Sequence, residues 1–174
     1  MFPSAKAGKD AALVRGVGAA ICVIGLIAAV TASGAASKPT AGLRRVLTAR
    51  EAGLVAVMNS VRASYHLPRF RVDRRLVRAA RAHSRDMLRR QYFAHGDFAR
   101  RIATFGVRGR YFAENLVWGS GVMSAQTEVE EWLASPPHRA NLLDPRLRRV
   151  GVATPLGSFD GFSPATVVTA DFAG

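Results

Sequence analysis

The sequence predicts one α+β domain behind a short N-terminal extension. Apolar residues recur at helical spacing in several segments, and the end of the chain holds two segments typical of paired strands. The 174 residues allow one domain of ordinary size besides the extension. We assign residues 1–36 to a signal peptide or membrane anchor, 37–47 to a linker and 48–174 to the folded domain.

The extension has the pattern of an export signal. Three basic residues precede an apolar run at residues 16–30, and small residues follow it. Residues 30–32 form a cleavage sequence before Ser33. The alternative is an uncleaved anchor: the run is shorter than the ~20 apolar residues of a spanning helix, but residues 11–36 hold only one charge. Either reading predicts a secreted protein or one held on the outer face of the cytoplasmic membrane.

Cysteine content and charge narrow the class of protein further. The single cysteine, Cys22, lies in the apolar run, so the folded domain forms no disulfide of its own. The formal charge is +13, and residues 37–174 keep 22 basic and 11 acidic side chains. So basic a protein could bind nucleic acid, but an export signal favours anionic lipids or envelope polymers as partners.

The first helix of the domain is predicted from residue 48 to about residue 65. Thr48 is placed to cap it, and Glu51, three residues later, completes a capping box. Four apolar residues recur at helical spacing within it: Leu54, Val57, Met58 and Val61. Pro68 then prevents the helix from continuing.

A second helix, capped by Asp73 and reaching about Gln91, has two distinct faces. Its inward face holds Leu76, Ala79, Ala80, His83 and Met87. Its opposite face holds five arginines: Arg74, Arg78, Arg81, Arg85 and Arg89. This arginine stripe is either a solvated surface or a contact to an anionic envelope surface. We expect His83 to be a hydrogen-bonded core histidine.

The middle of the chain predicts two helices with a strand between them. Asp97 caps a short helix over residues 98–105, and residues 112–118 predict a strand. Ser124 opens a fourth helix that extends to Ala134. Trp132 lies on the inward face of that helix, so we expect it to be buried in the core.

The remaining segments predict a short helix and a hairpin. Pro137 suits the first turn of a helix that ends near Leu143. Residues 149–156 and 165–172 are rich in strand-forming residues and are joined by a polar loop, which predicts an antiparallel hairpin.

Four short motifs, in this order, carry most of the functional information. They are Tyr92-Phe93-Ala94-His95, Ala113-Glu114-Asn115-Leu116, the stretch from Trp132 to Leu143, and Arg149-Val150-Gly151-Val152. In this order they resemble the CAP superfamily, and in particular its bacterial secreted branch of SCP or YkwD-like domains. The resemblance spans about residues 49–174. It implies an α-β-α sandwich in which helices flank a small antiparallel sheet.

The resemblance also implies a polar cleft built from two histidines and two acidic residues. His95, Glu114 and His138 match three of these four positions, and Ser135 stands where the fourth acid is expected. Glu128 and Glu131 are the nearest acids that could substitute for it. Two neutral imidazoles and a carboxylate are also a set that zinc accepts or that acid–base chemistry uses.

We therefore expect a secreted domain that acts at the cell envelope, binding a lipid or a wall polymer without turnover. The alternative is a metal-assisted hydrolase that uses the same cleft, with a weakly bound divalent metal such as zinc on His95 and His138. The serines of the domain lack the sequence context of a catalytic nucleophile. Neither ligand identity nor oligomeric state follows from the sequence.

Overall fold

The structure is a computed structural model, and it describes residues 46–174. The predicted export signal, its cleavage position and Cys22 lie outside the described residues, as does the linker up to residue 45. Among the residues described, no helix combines the length and the apolar character needed to cross a membrane.

Five helices and five strands make up the described part of the chain. In order they are α1 (Ala49–Ser64), β1 (Arg71–Val72), α2 (Arg74–Arg90), α3 (Phe98–Thr104), β2 (Phe112–Ser120), α4 (Ala125–Ala134), α5 (Pro136–Leu143), β3 (Arg149–Ala153), β4 (Leu156–Phe159) and β5 (Phe162–Ala173). The predicted α+β class is confirmed, and the helices begin and end within a few residues of their predicted limits.

Local side-chain hydrogen bonds fix the first residue of each of the first four helices. At α1 the capping box is complete: the Glu51 amide donates to Thr48 Oγ1 at 3.3 Å, and the Thr48 amide donates to Glu51 Oε2 at 2.7 Å. The side chains of Asp73, Asp97 and Ser124 cap the next three helices in the same way. The four caps predicted from the sequence are confirmed.

The strands form one sheet in the order β1-β3-β5-β2, with β4 also paired to β5. β5 is antiparallel to β2, β3 and β4. Its pairing with β3 is the hairpin that the sequence predicted. β1 instead runs parallel to β3. The small antiparallel sheet that was predicted is therefore confirmed for β2 to β5, and β1 adds one parallel strand to it. β1 is only two residues long, so it has no alternation of apolar and polar residues from which a strand could be predicted. The predicted hairpin loop likewise contains β4.

Helices cover both faces of the sheet, which confirms the α-β-α arrangement. Alternate residues of β5 pack on opposite sides: Val168 and Phe172 join the core beneath α1, α4 and α5, whereas Thr169 accepts a hydrogen bond of 2.7 Å from Ser84 of α2. α2 lies directly on β3, because a Cβ at Gly151 would come within 2.1 Å of the Leu76 carbonyl carbon. Only glycine permits this approach.

Candidate functional site

His95 lies on the loop between α2 and α3, at the surface. Gln91 ends α2 in the left-handed conformation, and Gly96 adopts a positive φ of 60°, so the chain turns sharply on both sides of the histidine. The His95 side chain is 56% exposed, and its carbonyl oxygen accepts a hydrogen bond of 3.1 Å from Arg101 Nη1 of α3. The loop therefore presents the imidazole to solvent and is held in place by α3.

Glu114, on β2, is buried and lies at the centre of a cluster of polar side chains. Its Oε1 is 2.7 Å from His95 Nδ1, and its Oε2 accepts a hydrogen bond from Arg101 Nη2. His83 Nε2 is 3.7 Å from Oε2. The contact between His95 and Glu114 fixes the ring orientation and directs the His95 Nε2 away from the carboxylate.

His138 occupies the first turn of α5 and is half-buried. Its carbonyl accepts a hydrogen bond of 2.9 Å from Asn115 Nδ2, while Asn141 Nδ2 donates to Asn115 Oδ1 at 2.9 Å. Burial lowers the pKa of His138, and the charge of nearby His95 lowers it further. Among the described residues its ring forms no hydrogen bond with His95 or Glu114. The structure thus brings His95 and Glu114 into direct contact, whereas His138 is close enough to His95 for its charge to matter but is not bonded to it.

Asp171 and Arg101 belong to the same cluster and were not identified from the sequence. Asp171 is directly opposite Glu114 in the pairing of β2 with β5, is fully buried, and lies 3.9 Å from Arg101 Nη2. Burial and the charge of Glu114 raise the pKa of Asp171 well above its usual value, so the neutral acid is favoured. An acid at an inward position of an apolar strand was the only sequence signal for it.

His83 is buried, as expected, but it is not fully hydrogen-bonded. Its Nε2 has no hydrogen-bond partner within residues 46–174, contrary to the expectation of a satisfied core histidine. Burial lowers the pKa of His83, and the charge of Glu114 opposes that shift only in part. Burial therefore favours the neutral imidazole, and Nε2 is its unpaired nitrogen within the described residues.

The three candidates for a fourth cleft member occupy different environments. Ser135 precedes α5 and forms no side-chain capping bond, and Glu131 is exposed. Glu128 is buried beside α1, with Oε1 3.7 Å from Arg50 Nη2. Within the described chain neither glutamate is hydrogen-bonded to a cleft histidine.

Burial of Glu128 has a measurable consequence for stability. Desolvation raises its pKa from 4.5 to about 7, although Arg50 opposes the shift. The folded state therefore binds a proton more tightly than the unfolded state, and stability should fall as the pH rises from 4.5 to 7. At 1.36 kcal/mol for each unit, the loss amounts to about 3 kcal/mol. Glutamine does not titrate, so Glu128→Gln should not lose this stability. We therefore expect the free energy of unfolding of the variant, relative to the wild type, to increase by up to about 3 kcal/mol between pH 4.5 and pH 8.

Urea unfolding of both proteins across this pH range measures the difference. Glu130→Gln, on an exposed position of the same helix, is the matched control and should follow the wild-type curve. Parallel stability curves for Glu128→Gln and the wild type would mean that folding does not raise the pKa of Glu128.

The donor set does not fit a zinc site with three protein ligands. Within residues 46–174 no group of three or more His, Cys, Asp or Glu side chains is arranged to hold a metal ion. Both Glu114 oxygens already contact cationic or imidazole nitrogens, which leaves His95 and His138 as donors. Two imidazoles fall short of the ligand count of protein zinc sites.

The arginine stripe of α2 is mostly exposed but is not free of acids. Arg74, Arg78, Arg85 and Arg89 are exposed to solvent. Arg81 instead turns toward α1, where its Nε donates to Glu51 Oε1 at 2.8 Å. Arg89 pairs with Asp86 one turn earlier. Three arginines of the stripe thus remain without an acidic partner among the residues described.

Comparisons with known proteins place this fold and these motifs in context. A model of the CAP family, described as the cysteine-rich secretory protein family, matches residues 55–172. The uncharacterised protein YkwD of Bacillus subtilis (strain 168) is 30% identical over 111 residues, which are 61% of this chain and 42% of that protein. The chain therefore spans less than half the length of that relative.

Two solved structures are similar in fold. An extracellular protein containing an SCP domain from Bacillus anthracis str. Ames has a TM-score of 0.60 at 25% identity, over 71% of this chain and 40% of that one. An outer surface protein of Borrelia burgdorferi has a TM-score of 0.60 at 18% identity, over 68% of this chain and 87% of that one. The second likeness concerns the fold alone.

Proposed function

The chain belongs to the CAP (cysteine-rich secretory protein) family, and from that premise we propose that it is an exported module that binds a negatively charged component of the cell envelope without turning it over. The component is a lipid or a wall polymer, and the outward face of α2 is the surface that meets it. The cleft formed by His95, Glu114 and His138 is a second, separate source of polar contacts.

Export is supported by two independent observations. The N-terminal 36 residues have the charge and apolar pattern of a signal. The Bacillus anthracis structure, at 25% identity, is described as an extracellular protein. An exported basic protein meets anionic lipid headgroups and anionic polymers at the envelope.

The observation that carries the proposal is the exposed positive charge on one helix. Arg74, Arg78 and Arg85 project from the outer face of α2 with no acidic partner among the described residues. Residues 46–174 carry 19 arginines and 11 acidic side chains, so the domain as a whole adds to the local field. A row of unpaired cations on a basic protein favours an anionic surface, and each contributes about 1 kcal/mol near such a surface.

The contacts of Glu114 favour binding over catalysis. A general base must be free to accept a proton from the reacting group. Glu114 is buried, and its two oxygens contact His95 and Arg101. The family resemblance implies a second acid in the cleft, and Ser135 stands at that position in this sequence. The alternative, a metal-assisted hydrolase, is supported by the same His95–Glu114 contact, which would orient His95 as a base. Among the described residues, however, the cleft supplies too few ligands for a zinc site.

The test is co-sedimentation of the purified protein with two kinds of anionic particle. Vesicles of phosphatidylcholine and phosphatidylglycerol represent lipid, and isolated wall sacculi with their anionic polymers represent the wall. We expect the protein to pellet with one of them and to be released by salt. The triple variant Arg74→Glu, Arg78→Glu, Arg85→Glu should bind at least about 100-fold more weakly, since three contacts of about 1 kcal/mol are lost.

A matched control changes the net charge equally on other elements. Arg69, Arg139 and Arg148 are exposed and lie outside α2, and their replacement by glutamate should weaken binding much less. Equal losses in the two triple variants would show that only net charge matters. Failure of the wild type to pellet with either particle would overturn the proposed function.

A further inference from the structure

Four aromatic side chains from three elements form a cluster that is partly open to solvent. Phe159 of β4 is buried at its base. The ring centroid of Trp118 lies 5.0 Å from that of Phe159, the centroid of Phe93 lies 6.5 Å from it, and Phe162 is 6.2 Å from Trp118. Phe93 is 40% exposed, Phe162 is 47% exposed and Trp118 is half-buried. We call these three residues the aromatic patch.

The aromatic patch lies where α2 ends, on the face of the sheet that α2 covers. Trp118 and Phe159 pack in one apolar cluster with Met87 of α2. The Asp160 amide, in the turn between β4 and β5, donates to Gln91 Oε1 at 3.2 Å. This bond holds the turn against the C-terminal end of the helix. The patch therefore continues the layer of α2 beyond its last turn.

The last turns of α2 bring an excess of positive charge to the patch. Arg85 is exposed and has no acidic partner among the described residues, while Arg89 and Arg90 share the single carboxylate of Asp86. Asp160, in the turn between β4 and β5, opposes them from the other side. Three arginines against two acids leave one net positive charge beside uncharged rings, so this end of the domain attracts an anionic partner.

Exposed aromatic rings beside cations favour a lipid bilayer over a wall polymer. Phenylalanine has no polar group with which to bind a hydrated polymer, and its ring gains free energy when it leaves water for an apolar medium. Aromatic side chains suit the boundary between lipid headgroups and acyl chains. Binding at that boundary strengthens with buried apolar area and with attraction to anionic lipids, and the end of α2 offers both.

We propose that the aromatic patch docks on an anionic lipid bilayer, with Phe93 and Phe162 reaching the acyl chains and Trp118 at the level of the headgroups. The arginines at the end of α2 then meet the lipid phosphates. The inference rests on the proposed function, which supplies the anionic envelope component, and it assigns that component to lipid. The patch adds apolar contacts that the arginine stripe alone does not provide.

The two tryptophans of the chain allow a direct test. Trp132 is fully buried in the main core, whereas Trp118 belongs to the patch, so a quencher in the bilayer should reach Trp118 alone. The probe is a vesicle of phosphatidylglycerol and phosphatidylcholine with brominated acyl chains. We expect these vesicles to quench the fluorescence of the wild type. Trp118→Phe should show no quenching, because it keeps an aromatic ring in the patch and leaves Trp132 as the only indole.

A second test removes the exposed rings. The double variant Phe93→Ser, Phe162→Ser should bind unbrominated vesicles of the same composition at least about 10-fold more weakly, because the area of two rings no longer passes from water into lipid. Tyr111→Ser with Phe112→Ser is the matched control. These two aromatics are 44% and 38% exposed at the opposite end of β2 from Trp118, so their loss should leave vesicle binding unchanged.

Four results would overturn the inference. They are a wild type that binds vesicles without quenching, equal vesicle binding by the two double variants, and pelleting with wall sacculi alone. The fourth is a wild type that is dimeric without lipid and a Phe93→Ser, Phe162→Ser variant that is monomeric in analytical ultracentrifugation, which would assign the patch to a second copy of the chain.

The two proposals fail separately. Salt-sensitive pelleting that the loss of Phe93 and Phe162 does not change would retain the envelope function and reject docking through the patch. Quenching of Trp118 that persists at full strength in the variant Arg74→Glu, Arg78→Glu, Arg85→Glu would retain the patch and reject the arginines of α2 as the binding surface.

Discussion

Replacing Arg62 by alanine is expected to destabilise the protein by about 3–5 kcal/mol, because several buried hydrogen bonds from a charged donor, worth about 1.5–3 kcal/mol each, are lost together. The Arg62 side chain is fully buried. Its guanidinium donates to four carbonyl oxygens, those of Pro68, Leu142, Asp144 and Leu147, at 2.8–3.1 Å. Removing it leaves acceptors unpaired in the interior, and each buried unpaired group costs about 1–3 kcal/mol.

Arg62→Lys separates charge from geometry. An ammonium keeps the positive charge but cannot reproduce the fork of donors that spans these segments, so we expect a loss of at least about 2 kcal/mol. Arg69→Ala, at an exposed position nearby, is the control and should stay within about 0.5 kcal/mol of the wild type. Urea unfolding followed by circular dichroism gives all three values. A lysine variant as stable as the wild type would mean that the carbonyls have other partners.

Arg62 also shows where sequence patterns stop being informative. Leu54, Met58 and Arg62 are spaced four residues apart, so helical periodicity does place Arg62 on the buried face of α1. The pattern does not reveal why a charge is tolerated there. Three of its four acceptors belong to the segment 142–147, about 80 residues later, and only the tertiary fold brings them to α1.

The elements that were predictable are those with strong local chemistry. Thr48, Asp73, Asp97 and Ser124 cap their helices through hydrogen bonds within three residues, so each start could be predicted from a few letters. β1 was missed because two residues hold no periodic signal, and its partner is almost 80 positions away. β4 was missed because it is short and rich in turn-forming residues.

The candidate site divides in the same way. The motifs located His95 and Glu114, which the structure brings into contact at 2.7 Å. They could not locate Asp171, because its position opposite Glu114 depends on the register of β5 against β2. Whether Glu128 takes the place of the fourth cleft acid could not be decided from its position on the helix alone. The structure shows Arg50 of α1 beside its carboxylate instead. Which residues of the cluster serve a ligand stays a prediction.

Trp132→Ala is expected to cost about 3–5 kcal/mol, the usual range for emptying a large buried aromatic site. The side chain is fully buried in the main core, as its helical position predicted. Its indole Nε1 also donates to the Leu116 carbonyl of β2 at 3.1 Å, so the residue ties α4 to the sheet. Truncation removes both the packing and this hydrogen bond.

Trp132→Phe distinguishes the two contributions. It keeps an aromatic ring in the core but has no N–H group, so we expect an intermediate loss of about 1–2 kcal/mol, near that of one buried hydrogen bond with a small cavity. Glu131→Ala, the exposed neighbour on α4, should be nearly neutral. Urea unfolding followed by far-ultraviolet circular dichroism avoids any dependence on the tryptophan signal. A loss below about 1 kcal/mol for Trp132→Ala would contradict its burial, because so small a value is typical of surface positions.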